Sequence, residues 1–110
     1  MMEEYIQVIT TTEREEEAEQ IARLLVEKRL AGCVQVVGPV LSTYWWEGRV
    51  ERGKEWLCFI KSRRELFKEL EKAIKQVHPY ETPEIIALPI TAGSQDYLEW
   101  LKGELKFKGC

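Results

Sequence analysis

Apolar residues recur at helical spacing between Thr12 and Gly32: Ala18, Ile21, Ala22 and Leu25 share one face, with Leu24 and Leu30 beside it. This predicts a first helix. Thr12 and Glu15 have the spacing of a capping box, acids crowd the start, and Arg23, Lys28 and Arg29 lie nearer the end, as the helix dipole favours. Gly32 is the expected stop. Leu66, Leu70, Ala73, Ile74 and Val77 predict a second helix, with Ser62 and Glu65 as a second capping box. Pro79 ends it and pushes His78 out of helical geometry. A short third helix is expected from Ser94, with Tyr97, Leu98 and Leu101 apolar and Gly103 closing it.

Four strands fill the gaps. "YIQVIT" (5–10) and "CVQVV" (33–37) are short and β-branched, and "EWLCFIK" (55–61) is apolar on both parities, as in a strand buried on both faces. "PEIIALPIT" (83–91) carries Pro83 and Pro89, six residues apart, so both missing N–H groups fall on one flank and an edge strand is expected. The order β-α-β-β-α-β plus a tail helix predicts an α+β, ferredoxin-like (split β-α-β) sandwich over one domain, residues 1–110. The second and fourth strands would be its edges.

Both helices cover the same face of such a sheet. A sheet open on its other face should carry polar residues there. Yet Val34 and Val36 oppose Cys33 and Val37, and Trp56, Cys58 and Ile60 oppose Leu57 and Phe59. A tail helix around Trp100 is too short to cover that face, so another subunit is the economical cover. The stretch "STYWWEGRVERGKE" (42–55) extends the point. Adjacent strand residues face opposite sides, so one ring of the Trp45–Trp46 pair can face its own layer while its neighbour faces another chain.

The net charge of −3 argues against nucleic acid or an anionic membrane surface as main partner. The longest nearly apolar run, "IIALPI" (85–90), is too short to cross a bilayer, and the acidic start "MMEE" does not resemble a leader, so a cytoplasmic location is expected. Cys33, Cys58 and Cys110 lack paired spacing and read as reduced thiols. With a hairpin turning near 48–53, Cys58 should face residues 42–44, far from Cys33. Cys110, at the last position, is a candidate for adventitious oxidation. The absence of asparagine, with 32% charged residues, hints at a heat-adapted source.

Candidate chemistry gathers in "HPYETPE" (78–84). His78 is the only histidine, and Glu81 and Glu84 are possible oxygen donors for a divalent cation such as copper. The set lacks paired-ligand spacing, and His78 alternatively caps the second helix. Symmetry between subunits would multiply the ligands. No nucleophile elbow or phosphate loop is present, and Glu81 and Glu84 on a strand would point to opposite faces, so no enzyme is expected.

The segments "AGCVQVV", "STYWWEGRVERGKEWLCFIKS", "VHPYETPEIIALPI" and "DYLEWL" together resemble the CutA divalent-cation-tolerance proteins over nearly the whole chain. The resemblance implies a ferredoxin-like subunit, a compact homotrimer similar in architecture to the PII signalling proteins, and tolerance of divalent metals, copper above all. It implies that Tyr44, Trp45, Trp46, Glu47 and Gly48 sit on a long hairpin reaching into a neighbouring subunit. His78, Pro79, Tyr80 and Glu84 would lie near the cleft between subunits, with Tyr80 also at the interface. The chain departs from members that carry a cysteine near the end of the first strand and a second histidine in the "HPY" segment: it has Thr10 and Val77 there. The function expected is that of a cytosolic, homotrimeric, non-enzymatic tolerance protein binding a divalent metal such as copper between subunits. The alternative is a PII-like regulatory module that binds a small anion or a partner protein.

Overall fold

The computed structural model describes residues 4–106, so Cys110 lies outside the described residues. The elements are β1 (Tyr5–Thr12), α1 (Glu15–Glu27), β2 (Cys33–Trp46), β3 (Arg49–Arg63), a 3-10 turn (Arg64–Leu66), α2 (Phe67–Val77), β4 (Ile85–Pro89) and α3 (Gln95–Glu104). The strands form one antiparallel sheet in the order β2-β3-β1-β4. Edge positions for β2 and β4 and an inner position for β3 agree with the sequence patterns. Pro83 precedes β4 and Pro89 ends it, so only Pro89 enters the ladder, opposite Ile6.

Alternation along the paired strands divides the sheet into two faces. Ile6, Val8, Cys58 and Ile60 point to one face and are buried with Ala18, Ile21 and Leu25 of α1 and Leu70, Ala73 and Ile74 of α2. Val77 misses this core and is exposed. On the other face lie Ile9, Leu57 and Phe59, half-buried, and Val37, Ile86 and Leu88, exposed. The third helix leaves Val37, Ile86 and Leu88 of that face exposed. Its Leu101 joins the core, and Arg29 Nη1 donates to the Glu104 carbonyl at 2.9 Å, which ties α3 to the end of α1.

Four expected helix boundaries move. β1 runs two residues further than its apolar pattern, so Thr12 pairs with Trp56 instead of capping α1. The Thr12 hydroxyl donates to the Arg14 carbonyl, and the Arg14 N–H donates to the Glu17 carboxylate. Ser62 is likewise held in β3 opposite Ile6, and its buried hydroxyl donates to the Leu30 carbonyl at 2.7 Å, so the 3-10 turn opens α2 instead. Gly32 does not stop α1. Arg29 adopts the left-handed conformation (φ 59°) that ends it. Gly32 instead admits α3, because a Cβ there would lie 2.5 Å from Leu101 Cδ1. Ser94 caps α3 as expected, its oxygen accepting from the Tyr97 N–H, but that helix runs through Gly103 to Glu104.

Candidate functional site

The main departure from a plain open sheet is a long arm. β2 and β3 extend well past the region paired with β1, and the structure reaches 46 Å in its longest dimension. The two strands stay paired to Trp46–Arg49 and reverse through Glu47 (φ 51°) and Gly48 (φ 79°). Two consecutive left-handed residues make the tight turn whose twist matches its strands. The turn is therefore earlier and shorter than the one expected near 48–53. Cys58 consequently faces Val36, not residues 42–44. Cys33 still stays apart from it, on the opposite face. Burial pushes the Cys58 thiol up to about 11, and the group donates to the Ala18 carbonyl.

Register assigns the arm's side chains to two sides. A bulge between Val37 and Val40 shifts β2, where Gly38 lies against the Trp56 ring. Beyond it, Val40, Ser42, Tyr44 and Trp46 face the same side as Glu55, Gly53, Glu51 and Arg49. The other side carries Leu41, Thr43 and Trp45 with Lys54, Arg52 and Val50. Trp45 is 74% exposed and Trp46 54%, so within one chain neither ring is packed away.

The segment after α2 meets the base of this arm. The Tyr80 hydroxyl donates to Glu55 Oε2 at 2.9 Å. Burial, followed by the hydrogen bond and charge of Glu55, raises the Tyr80 phenol above its ordinary range, with Glu13 and Tyr44 adding to it. No pattern in the sequence links Tyr80 to a carboxylate 25 residues away. The contact exists because β1 ends opposite Trp56 and leaves the flank of Glu55 free.

His78 is buried, and both ring nitrogens are engaged. The Tyr80 N–H donates to Nδ1 at 3.1 Å, so Nδ1 is the acceptor. Nε2 therefore carries the proton and donates to the Thr11 carbonyl at 2.7 Å. The Tyr80 ring lies 4.8 Å from the imidazole. This is a lock between the end of α2 and β1, with the extended backbone expected before Pro79. Glu81 and Glu84 are exposed on the loop before β4, not on the strand, so strand parity does not separate them. Among the described residues, no group of three or more His, Cys, Asp or Glu side chains is arranged to hold a metal ion within one chain. Thr10 is fully buried between Cys58 and Ile85, and its hydroxyl has no hydrogen-bond partner.

Sheet order, three helices and a projecting aromatic arm define an open-faced α+β domain without a metal cluster of its own among the described residues. Comparison with known proteins specifies the class further. The family model for the CutA1 divalent ion tolerance protein matches residues 6–104, and the chain belongs to that family. It is 45% identical to the divalent-cation tolerance protein CutA of Thermus thermophilus, over 86% of this chain and 92% of that one. It is 41% identical to a chloroplastic CutA 1 of rice, over 92% of this chain but 57% of that longer protein. Among solved structures, Thermus thermophilus Cut A1 superposes with a TM-score of 0.90 at 41% identity, covering 93% of this chain and 99% of that one. Rice CutA1 gives 0.93 at 39% identity, covering 96% of each. None of these relatives is named as a PII-type regulator.

Proposed function

We propose that this chain is the ferredoxin-like subunit of a homotrimer that serves divalent-cation tolerance without catalysing a reaction. The observation that carries this reading is the unpartnered apolar surface: Val37, Ile86 and Leu88 on the open face, continued by Tyr44, Trp45 and Trp46 on the arm. Glu47 at the arm's tip and Tyr80 at its base belong to the same interface. Composition and the Thermus relative favour a heat-adapted protein. The working location is the cytoplasm, although one relative from Archaeoglobus fulgidus is named as periplasmic and the rice relative as chloroplastic.

A divalent cation such as copper would bind where subunits meet. Glu81 and Glu84 are exposed and free to reach a shared ion, while His78 joins only by giving up one of its two hydrogen bonds. Copper titration of the purified protein tests the site. The proposal expects the Glu81→Gln/Glu84→Gln variant to bind at least tenfold more weakly than the wild type, with its oligomeric mass unchanged. Equal stoichiometry and affinity in that variant remove these carboxylates from the site.

A further inference from the structure

A groove of about 230 Å³ lies beside Gly32, just before β2 and at the far end of that strand from the arm's turn. Its apolar walls are Val26 of α1, Trp100 of α3 and the backbone at Gly32. Val26 is 41% exposed and Trp100 46%, so both walls are open to a ligand. A Cβ at Gly32 would lie 3.8 Å from Trp100 Cζ3, so the missing side chain helps to leave the indole uncovered. The Tyr97 ring, its centroid 5.6 Å from that of the indole, supports it from within α3. The groove shares no residue with the arm or with the Glu81/Glu84 loop.

The electrostatics of the groove favour a cation. α1 ends at Glu27 and α3 at Glu104, and both residues line it. Two helix C-termini, each with partial negative charge, therefore converge here, and each is closed by a carboxylate. α1 has no basic residue in its last turn. Arg29 is the cation of the lining, and its Nη1 is engaged by the Glu104 carbonyl at 2.9 Å and by Glu104 Oε1 at 3.1 Å. Glu27 Oε2 accepts from Arg23 at 2.9 Å. With both carboxylates already hydrogen-bonded, the groove offers negative potential and an indole face more than free acceptors. A cation with N–H groups would give up hydrogen bonds to water on entering. A quaternary ammonium has none to give up, and its methyl groups can pack on the indole and Val26. Trp is the aromatic side chain that attracts such a cation most strongly. The volume suits a single headgroup, being smaller than the roughly 300–1,000 Å³ of pockets for larger ligands. We propose that the Val26/Gly32/Trp100 groove binds a small quaternary ammonium ion, held by the indole face and by the converging ends of α1 and α3.

Titration with tetramethylammonium chloride, followed by nuclear magnetic resonance, tests this. The Trp100 indole N–H and Gly32 amide signals should move together and saturate, while the indole signals of Trp45 and Trp46 stay in place. Sodium chloride at the same ionic strength should move neither reporter. tert-Butanol, uncharged and of similar shape, should bind about threefold more weakly or worse. Glu27→Gln/Glu104→Gln leaves the indole in place and should weaken tetramethylammonium binding about threefold, with tert-butanol binding unchanged. Trp100→Leu keeps an apolar wall without the π face, so the Gly32 amide should lose its preference for the charged probe. Circular dichroism verifies the fold of each variant, and the carboxylate variant and the uncharged probe decide the case whether or not Trp100→Leu folds. The proposal is overturned if the wild-type reporters do not saturate, or if tert-butanol binds as well as tetramethylammonium. A folded carboxylate variant with wild-type affinity overturns it too, as does a response centred on Trp45 or Trp46.

Discussion

Replacing His78 with alanine separates a structural histidine from a metal ligand. The substitution removes the Nε2–H donor to the Thr11 carbonyl (2.7 Å) and the Nδ1 acceptor of the Tyr80 N–H (3.1 Å). A net hydrogen bond contributes about 0.5–1.5 kcal/mol, and a buried group left unsatisfied costs about 1–3 kcal/mol. Thr11 is buried, so its carbonyl bears much of that cost, and the Tyr80 ring loses its neighbour at 4.8 Å. The expected loss is about 2–4 kcal/mol. Glutamine at this position still offers an amide donor to Thr11, but its carbonyl oxygen does not take the place of Nδ1 as the acceptor of the Tyr80 N–H, so His78→Gln should lose about half as much. Guanidinium unfolding at one fixed subunit concentration measures this, because assembly otherwise shifts the midpoint. Copper binding to both variants should remain within threefold of wild type. His78→Ala that unfolds at the wild-type midpoint but no longer binds copper would refute the lock and make the imidazole a ligand.

Three further outcomes follow from single contacts. Gly38→Ala places a Cβ 2.5 Å from Trp56 Cδ1 and 2.7 Å from Cγ, a ring that cannot yield cheaply, so a loss of about 1–3 kcal/mol is expected in the same unfolding assay. Tyr80→Phe removes the Glu55 hydrogen bond and should cost about 0.5–1.5 kcal/mol, with chemical shifts changing at the base of the arm and not at its tip. Cys58 keeps its proton more tightly when folded (about 11) than an exposed thiol near ~8.5. Its contribution to stability is therefore complete below the unfolded value and declines as pH rises from there through 11. Wild-type unfolding midpoints from pH 8 to 11 should fall more steeply than those of Cys58→Ala, and parallel slopes would contradict the burial argument.

The core of the fold was legible because it depends on periodicity. Ala18, Ile21 and Leu25, and Leu70, Ala73 and Ile74, lie where helical spacing puts them, and Pro89 marks an edge strand. Strand ends were less legible, because ladder pairing carries polar residues that no apolar pattern announces. Thr12 and Ser62 resemble helix caps in sequence but are captured by the sheet, one opposite Trp56 and the other opposite Ile6. The arm shows the same limit. Residues 38–54 are broken by glycine, proline and charge, so their strands read as short. Two left-handed residues at 47 and 48 then reset the register and moved Cys58 from residues 42–44 to Val36. His78 was read correctly as a helix-end residue. The bond of its Nε2 depends on Thr11, 67 residues away, which spacing does not reveal.

The open apolar face and the exposed arm are the surfaces that two more copies of the chain would cover in the proposed homotrimer. Sedimentation equilibrium of the native protein at micromolar concentration measures this directly. One species near three times the 12.9 kDa chain mass is expected. A species at 12.9 kDa, with Trp45 still open to solvent quenchers, would contradict it.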